Sequence, residues 1–67
     1  MYRNLEAEII RNNLNKALIA ETIRKTVVTL NQKINCNYPF TYDEALDIQE
    51  KYFPELEIKY LFLKTTA

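Results

Sequence analysis

The sequence predicts a small all-α domain built from five short helices. Apolar residues recur three and four positions apart in successive segments of the chain, which is the spacing that gives a helix one apolar face. Residues that cap helices stand where these segments begin, at Asn15, Thr26 and Thr41. A chain of 67 residues is long enough for one core only, so we expect residues 1–67 to form a single domain.

The first helix is predicted over residues 4–12, with Leu5 and Ile9, and at its margin Ile10, facing inward. Helices commonly end at a residue in the left-handed conformation, which glycine adopts most easily. The chain contains no glycine. Asn13 is the best available substitute and is therefore expected to end this helix.

Residues 15–36 are the most informative segment, because they predict two amphipathic helices around a break at Arg24-Lys25. Asn15 can cap the first of them, which turns Ile19, Ala20 and Ile23 toward one side. The small side chain of Ala20 allows a second helix to cross closely at a steep angle. This arrangement is a helix-turn-helix.

The second helix of the pair is predicted over residues 26–35, with Thr26 as its cap. Leu30 and Ile34 are four apart and face the core. The outward positions are those of Val27, Val28, Asn31 and Gln32.

The C-terminal third begins with a capping box, in which the Thr41 hydroxyl and the Glu44 carboxylate bind backbone amides reciprocally. Pro54 should end the helix that follows. Residues 56–62 alternate like a strand but also suit a short helix. A lone strand has nothing to pair with among helices, so we expect a fifth helix.

These residues resemble the Cro and repressor helix-turn-helix family of temperate phages. The motif positions that match its pattern without a gap are Ile19-Ala20, Ile23, Thr26, Thr29-Leu30 and Asn35. The flanking segments 39–45 and 52–62 resemble the Pro-Phe-Thr-x-x-Glu-Ala and Phe-Phe-Pro segments of small phage regulators, so the resemblance covers nearly the whole chain. Where the family usually has glycine, this chain has Arg24 and Cys36.

The resemblance implies a compact five-helix domain of the phage repressor type, which binds operator DNA as a dimer with helix 26–35 in the major groove. At matching positions Lys16 would touch phosphate, while Val27, Val28, Asn31 and Gln32 would read bases. Asn31 and Gln32 can bind adenine through two hydrogen bonds, which favours A·T-rich sites. The remaining residues expected to bind DNA would mostly contact its sugar-phosphate backbone; they are Lys25, Thr26, Lys33, Asn37 and Tyr38.

Composition narrows the function classes. With one cysteine and no histidine, the usual zinc and nucleophile-base sites are missing, so we expect no enzyme, metal or cofactor. No apolar run approaches a membrane span, and no signal peptide is evident, so we expect a cytoplasmic protein. Net charge is zero, yet residues 1–40 hold six bases against three acids and residues 41–67 the reverse. The basic half contains the helix-turn-helix, which suits phosphate binding.

An alternative function is open. Exposed valines at the start of a DNA-recognition helix favour contacts with protein. Together with zero net charge they suit an antirepressor or modulator that binds a partner repressor. A purely structural helical module is a third possibility.

The C-terminal segment contains more apolar residues than one small core can bury, so Tyr60, Leu61 and Phe62 are predicted to form a homodimer contact. The sequence does not indicate which operator is bound or whether the protein activates or represses transcription.

Overall fold

Five helices and their connections make up the computed structural model, which describes residues 1–64. The helices are α1 (Arg3–Arg11), α2 (Lys16–Thr22), α3 (Val27–Ile34), α4 (Tyr42–Tyr52) and α5 (Ile58–Leu61), with no strand in the described range. The predicted all-α class and the five helices are confirmed. The fully buried side chains come from every helix and meet in one core: Leu5, Ile19, Leu30, Ile34, Ile48 and Leu61.

Helix α1 begins and ends one residue earlier than predicted. Asn13 adopts the left-handed conformation with φ 53°, as expected of the residue that turns the chain out of the helix. The expected inward position of Ile10 is wrong, because its side chain is 70% exposed. Glu8 is buried instead, and its carboxylate accepts hydrogen bonds from Arg11 and the Tyr60 hydroxyl. With the Asn12 side-chain amide at 3.4 Å as a third donor, this buried carboxylate satisfies its hydrogen-bonding needs, so it can replace an apolar residue there.

Helices α2 and α3 form the predicted pair, and both predicted caps are present. The Asn15 side chain accepts a hydrogen bond from the Ala17 amide at 2.8 Å, and the Thr26 hydroxyl accepts one from the Thr29 amide at 3.2 Å. Ala20 is buried between the helices, as its small size suggested. Arg24 has φ 59°, so the turn keeps the left-handed geometry without glycine.

Helix α4 begins with the predicted capping box, in which Thr41 accepts from the Glu44 amide and Glu44 accepts from the Thr41 amide. It ends at Tyr52, two residues before Pro54, as proline requires. Ile48 and Phe53 are buried, and this side of α4 completes the core under α2.

The C-terminal segment forms the short helix α5, which confirms helix over strand, but two of its predicted dimer residues are used within the monomer. Leu61 is 0% exposed. The ring of Phe62 packs edge-on against Tyr2 and Phe40, with centroid distances of 5.8 and 5.1 Å. Leu61 as a dimer contact is therefore wrong, because a side chain with no exposed area cannot meet a partner, and most of Phe62 is also covered.

Tyr60 is the predicted dimer residue that stays partly exposed, although its hydroxyl donates to Glu8 at 2.9 Å. That hydrogen bond raises the pKa of Tyr60, because the neutral hydroxyl is the form that can donate to the carboxylate. Leu63, two residues after the end of α5, is more exposed still.

Candidate nucleic-acid interface

Helix α3 has two faces with different roles. Leu30 and Ile34 are buried at 0% and 1% exposure and hold the helix against the core. On the other side, Val28 is 67% exposed. Val27 precedes Leu30 by three residues and Ile34 by seven, so it lies in the same row as these two, and at the head of the helix it is 37% exposed. Asn31 and Gln32 are half-buried at the edges of this outer side. Of the four positions predicted to face outward, those of Val28, Asn31 and Gln32 therefore lie together on one accessible surface, and Val27 lies at its border. We call these four residues the α3 face.

Two cations stand where the chain enters α3. Arg24 and Lys25 are exposed, and their backbone amides donate to Glu21 and Ala20, which closes the end of α2. Neither side chain forms a salt bridge with any residue in the range 1–64. Their charges are therefore available to a ligand. Arg24 was not among the residues predicted from sequence to bind DNA, although its place beside Lys25 in the loop was the signal for a basic turn.

An open cleft of about 490 Å³ lies beside α3. Its walls come from the turn before α3, from α3 itself and from the loop before α4: Lys25, Thr29, Gln32, Lys33, Tyr38, Pro39 and Thr41. Four of these residues were predicted to bind DNA from their sequence positions alone, and the fold brings them to one place. Tyr38 is more than half exposed, so its hydroxyl is accessible at the cleft.

Lys33 occupies this cleft wall, but its charge does not face solvent. Its side chain is buried, and Nζ donates to Glu44 Oε1 at 2.9 Å and to the Pro39 carbonyl at 3.0 Å. The ammonium thus joins α3 to the loop and to the capping box of α4. Lys33 was predicted to contact the DNA backbone, but its ammonium is already paired with the buried Glu44 carboxylate and has no free charge to offer.

The surroundings of Glu44, the acid of this pair, lower its pKa. Burial by itself would raise the pKa of Glu44. The hydrogen bonds from the Thr41 amide and from Lys33, with the positive charges of Lys33 and Lys25, outweigh burial and hold the pKa below its ordinary value. The carboxylate therefore stays charged near neutral pH, and the pair is an internal brace of the fold.

Lys16 begins α2 and reaches both neighbouring helices. Its Nζ lies 2.9 Å from Glu6 Oε1 on α1 and donates to Asn31 Oδ1 on α3 at 3.1 Å. The charge that the sequence assigned to phosphate is therefore paired with a carboxylate in the free protein. Glu6 was not predicted from sequence as a partner of Lys16, and no local signal could have found it, since it stands ten residues before Lys16 on another helix.

The end of α3 is closed by backbone hydrogen bonds. Cys36 is left-handed with φ 66°, and the Asn37 amide donates to the Gln32 carbonyl at 2.8 Å. Because this amide already donates to the end of α3, the predicted contact of Asn37 with the DNA backbone would have to come from its exposed side chain.

Neither a membrane span nor a metal site is found among the described residues. None of the helices in residues 1–64 is long and apolar enough to cross a membrane. Within the same range, no three acidic or cysteine side chains are grouped so that they could hold a metal ion.

Comparison of the chain with family models, with curated proteins and with solved structures gives no match.

Proposed function

We propose that this protein is a small cytoplasmic transcriptional regulator of the phage Cro and repressor type, which binds duplex DNA with the α3 face in the major groove. The observation that carries the proposal is the division of α3 into a side buried by Leu30 and Ile34 and an outer side that offers Val28 and the amides of Asn31 and Gln32. A helix anchored in this way can enter the groove without disturbing its own packing. The resemblance of residues 15–36 to the phage family supports the same function.

Each part of the surface has a role in this proposal. Gln32 and Asn31 contact base edges, and Val28 lies against a thymine methyl group. Arg24 and Lys25 bind phosphates beside the head of α3, where their free charges stand. The cleft next to α3 accommodates the sugar-phosphate backbone, with the Tyr38 hydroxyl donating to a phosphate oxygen. Lys33 is not included in this surface, because its ammonium is paired with Glu44.

A palindromic operator would be bound by two copies of the chain. Two recognition helices must then lie about one turn of DNA apart, at roughly 34 Å. The exposed side chains at and after α5, those of Tyr60 and Leu63, are the available apolar contacts for such a homodimer. They replace the predicted set of Tyr60, Leu61 and Phe62.

The proposal is tested by a salt titration. Affinity for a mixed-sequence duplex should fall steeply between 50 and 200 mM salt, since bound phosphates release counterions as lysines and arginines replace them. Lys25→Gln should weaken binding to all sequences and reduce the slope of log affinity against log salt by about 1. Lys59→Gln, an exposed lysine on α5, is the matched control and should change neither quantity. No binding at low salt, or equal effects of both variants, would contradict the proposal.

The high exposure of Val28 favours one alternative, an antirepressor that binds a partner repressor protein through the head of α3. The double variant Val27→Ser/Val28→Ser separates the two functions. A DNA reader should lose preference at one or two positions, each worth about 1–3 kcal/mol. A protein binder would lose its anchor residues and most of its affinity. A repressor complex that survives Lys25→Glu but is lost in the double serine variant would establish the alternative.

A further inference from the structure

Three helices contribute to a chain of polar contacts at the edge of the α3 face. Glu6 on α1 lies 2.9 Å through Oε1 and 3.2 Å through Oε2 from the Nζ of Lys16 on α2. The same Nζ donates to Asn31 Oδ1 on α3 at 3.1 Å. The Lys16 and Glu6 side chains are 30% and 22% exposed. The ammonium is thus held from one side by a carboxylate while it binds the amide on the other.

This contact determines which way the Asn31 amide points. An ammonium group only donates hydrogen bonds, so the oxygen of the amide, and not its nitrogen, must face Lys16. The Nδ2 group then points away from Lys16, and within residues 1–64 it donates to no other group. In the free protein, Asn31 therefore offers two N–H donors to a ligand, while its oxygen already accepts a hydrogen bond from a cation through one of its two lone pairs.

We infer that Lys16 is a positioning residue for base recognition, which makes Asn31 select guanine over adenine. The inference rests on the proposed function. Reading adenine through two hydrogen bonds requires the amide oxygen to accept from the N6 amino group. In this protein that oxygen lies 3.1 Å from the Lys16 ammonium, whose positive charge repels the hydrogens of a second donor that approaches the remaining lone pair. Guanine presents two acceptors, N7 and O6, to the same groove and matches the outward Nδ2 donors. The A·T preference expected for Asn31 from sequence is thereby reversed.

The test is selection from a pool of duplexes with a randomised central region, followed by sequencing. Asn31→Ala identifies the base position that Asn31 controls, because preference is lost there. At that position the parent protein should bind guanine about tenfold more tightly than adenine, the size of one good base contact. Lys16→Met keeps the alkyl stem but frees the amide, so adenine should become equal to guanine or better. Preferences at the other positions should persist.

A lysine with a purely structural role would change stability but not the preferred base. Glu6→Gln releases Lys16 without touching the α3 face, and it should shift the same position partway toward adenine. Lys51→Met, an exposed lysine on α4, is the matched control and should select the parent sequence. Thermal melts of all variants establish that the selected proteins are folded.

The outcomes distinguish this inference from the function it rests on. An unchanged guanine preference in Lys16→Met, or an adenine preference in the parent protein, would overturn the inference while DNA binding stands. If the parent protein binds no duplex, the proposed function fails, and the inference fails with it. The Lys16–Asn31 contact has its own readout in the free protein, where the 15N resonance of the Lys16 ammonium should be observable at low temperature and should broaden in Asn31→Ala.

Discussion

Removing one partner of the ion pair between Lys33 and Glu44 should strongly destabilise the domain, because the other partner stays buried. The two side chains of the pair are 9% and 11% exposed, and Nζ lies 2.9 Å from Oε1. Lys33→Met leaves the carboxylate buried with only the Thr41 amide as its partner, and breaking a pair in this way costs about 3–5 kcal/mol. At about 0.05–0.15 kcal/mol per residue, a domain of 67 residues has about 3–10 kcal/mol in total. We expect Lys33→Met to be largely unfolded when warmed.

The double variant Lys33→Met/Glu44→Gln decides whether the pair or the packing matters. Removing both charges leaves no buried carboxylate without a partner, so the double variant should be more stable than Lys33→Met alone. Urea unfolding followed by circular dichroism gives the free energies of unfolding of the parent protein, of Lys33→Met and Glu44→Gln alone, and of the double variant. If the two single effects add to within about 0.5 kcal/mol, the groups are independent and the reasoning is refuted.

The same pair predicts a pH dependence. Because the pKa of Glu44 is lower in the folded protein than its ordinary value of 4.5, the unfolded chain binds a proton more readily. The stabilisation is therefore complete above the unfolded-state pKa and is lost as the pH falls through the folded-state pKa. Glu44→Gln should remove this part of the acid destabilisation. Glu50→Gln, an exposed acid on the same helix, should leave it unchanged.

Three further predictions concern the packing, the backbone and the surface. Ala20→Leu should overpack the contact between α2 and α3 and cost about 1–3 kcal/mol, seen as a lower thermal midpoint; an unchanged midpoint would show that Ala20 is not confined. Cys36→Gly should raise the free energy of unfolding by up to about 1 kcal/mol in urea titrations, because glycine adopts a φ of 66° without strain. Leu61→Ala should cost about 2–5 kcal/mol of stability, whereas Leu63→Ser should leave stability unchanged and weaken self-association in sedimentation experiments; the reverse pattern would restore Leu61 as a dimer contact.

The parts of the fold that could be predicted from sequence depend on residues close together in the chain. The caps at Asn15, Thr26 and Thr41 bind amides two or three residues ahead, so their residue types alone predict the helix starts. The inward positions of Leu30 and Ile34 follow from helical spacing for the same reason.

The missed parts depend on contacts between distant segments. Lysine is rarely buried, so a sequence pattern places Lys33 on the surface until the fold brings Glu44 beside it. Phe62 is covered because Tyr2, sixty residues away, packs against its ring. The same limit applies to the candidate site: the α3 face was predictable from periodicity, whereas the partners of Lys16 were not.

The central claim, that duplex DNA contacts the α3 face, is tested most directly by nuclear magnetic resonance. A 15N-labelled protein would be titrated at low salt with the duplex that it selects from a random pool. We predict the largest amide shifts at Lys25, Val28 and Gln32, with the amide of Lys59 on α5 unmoved. Shifts centred on α4 and α5, or none at saturating DNA, would contradict the claim.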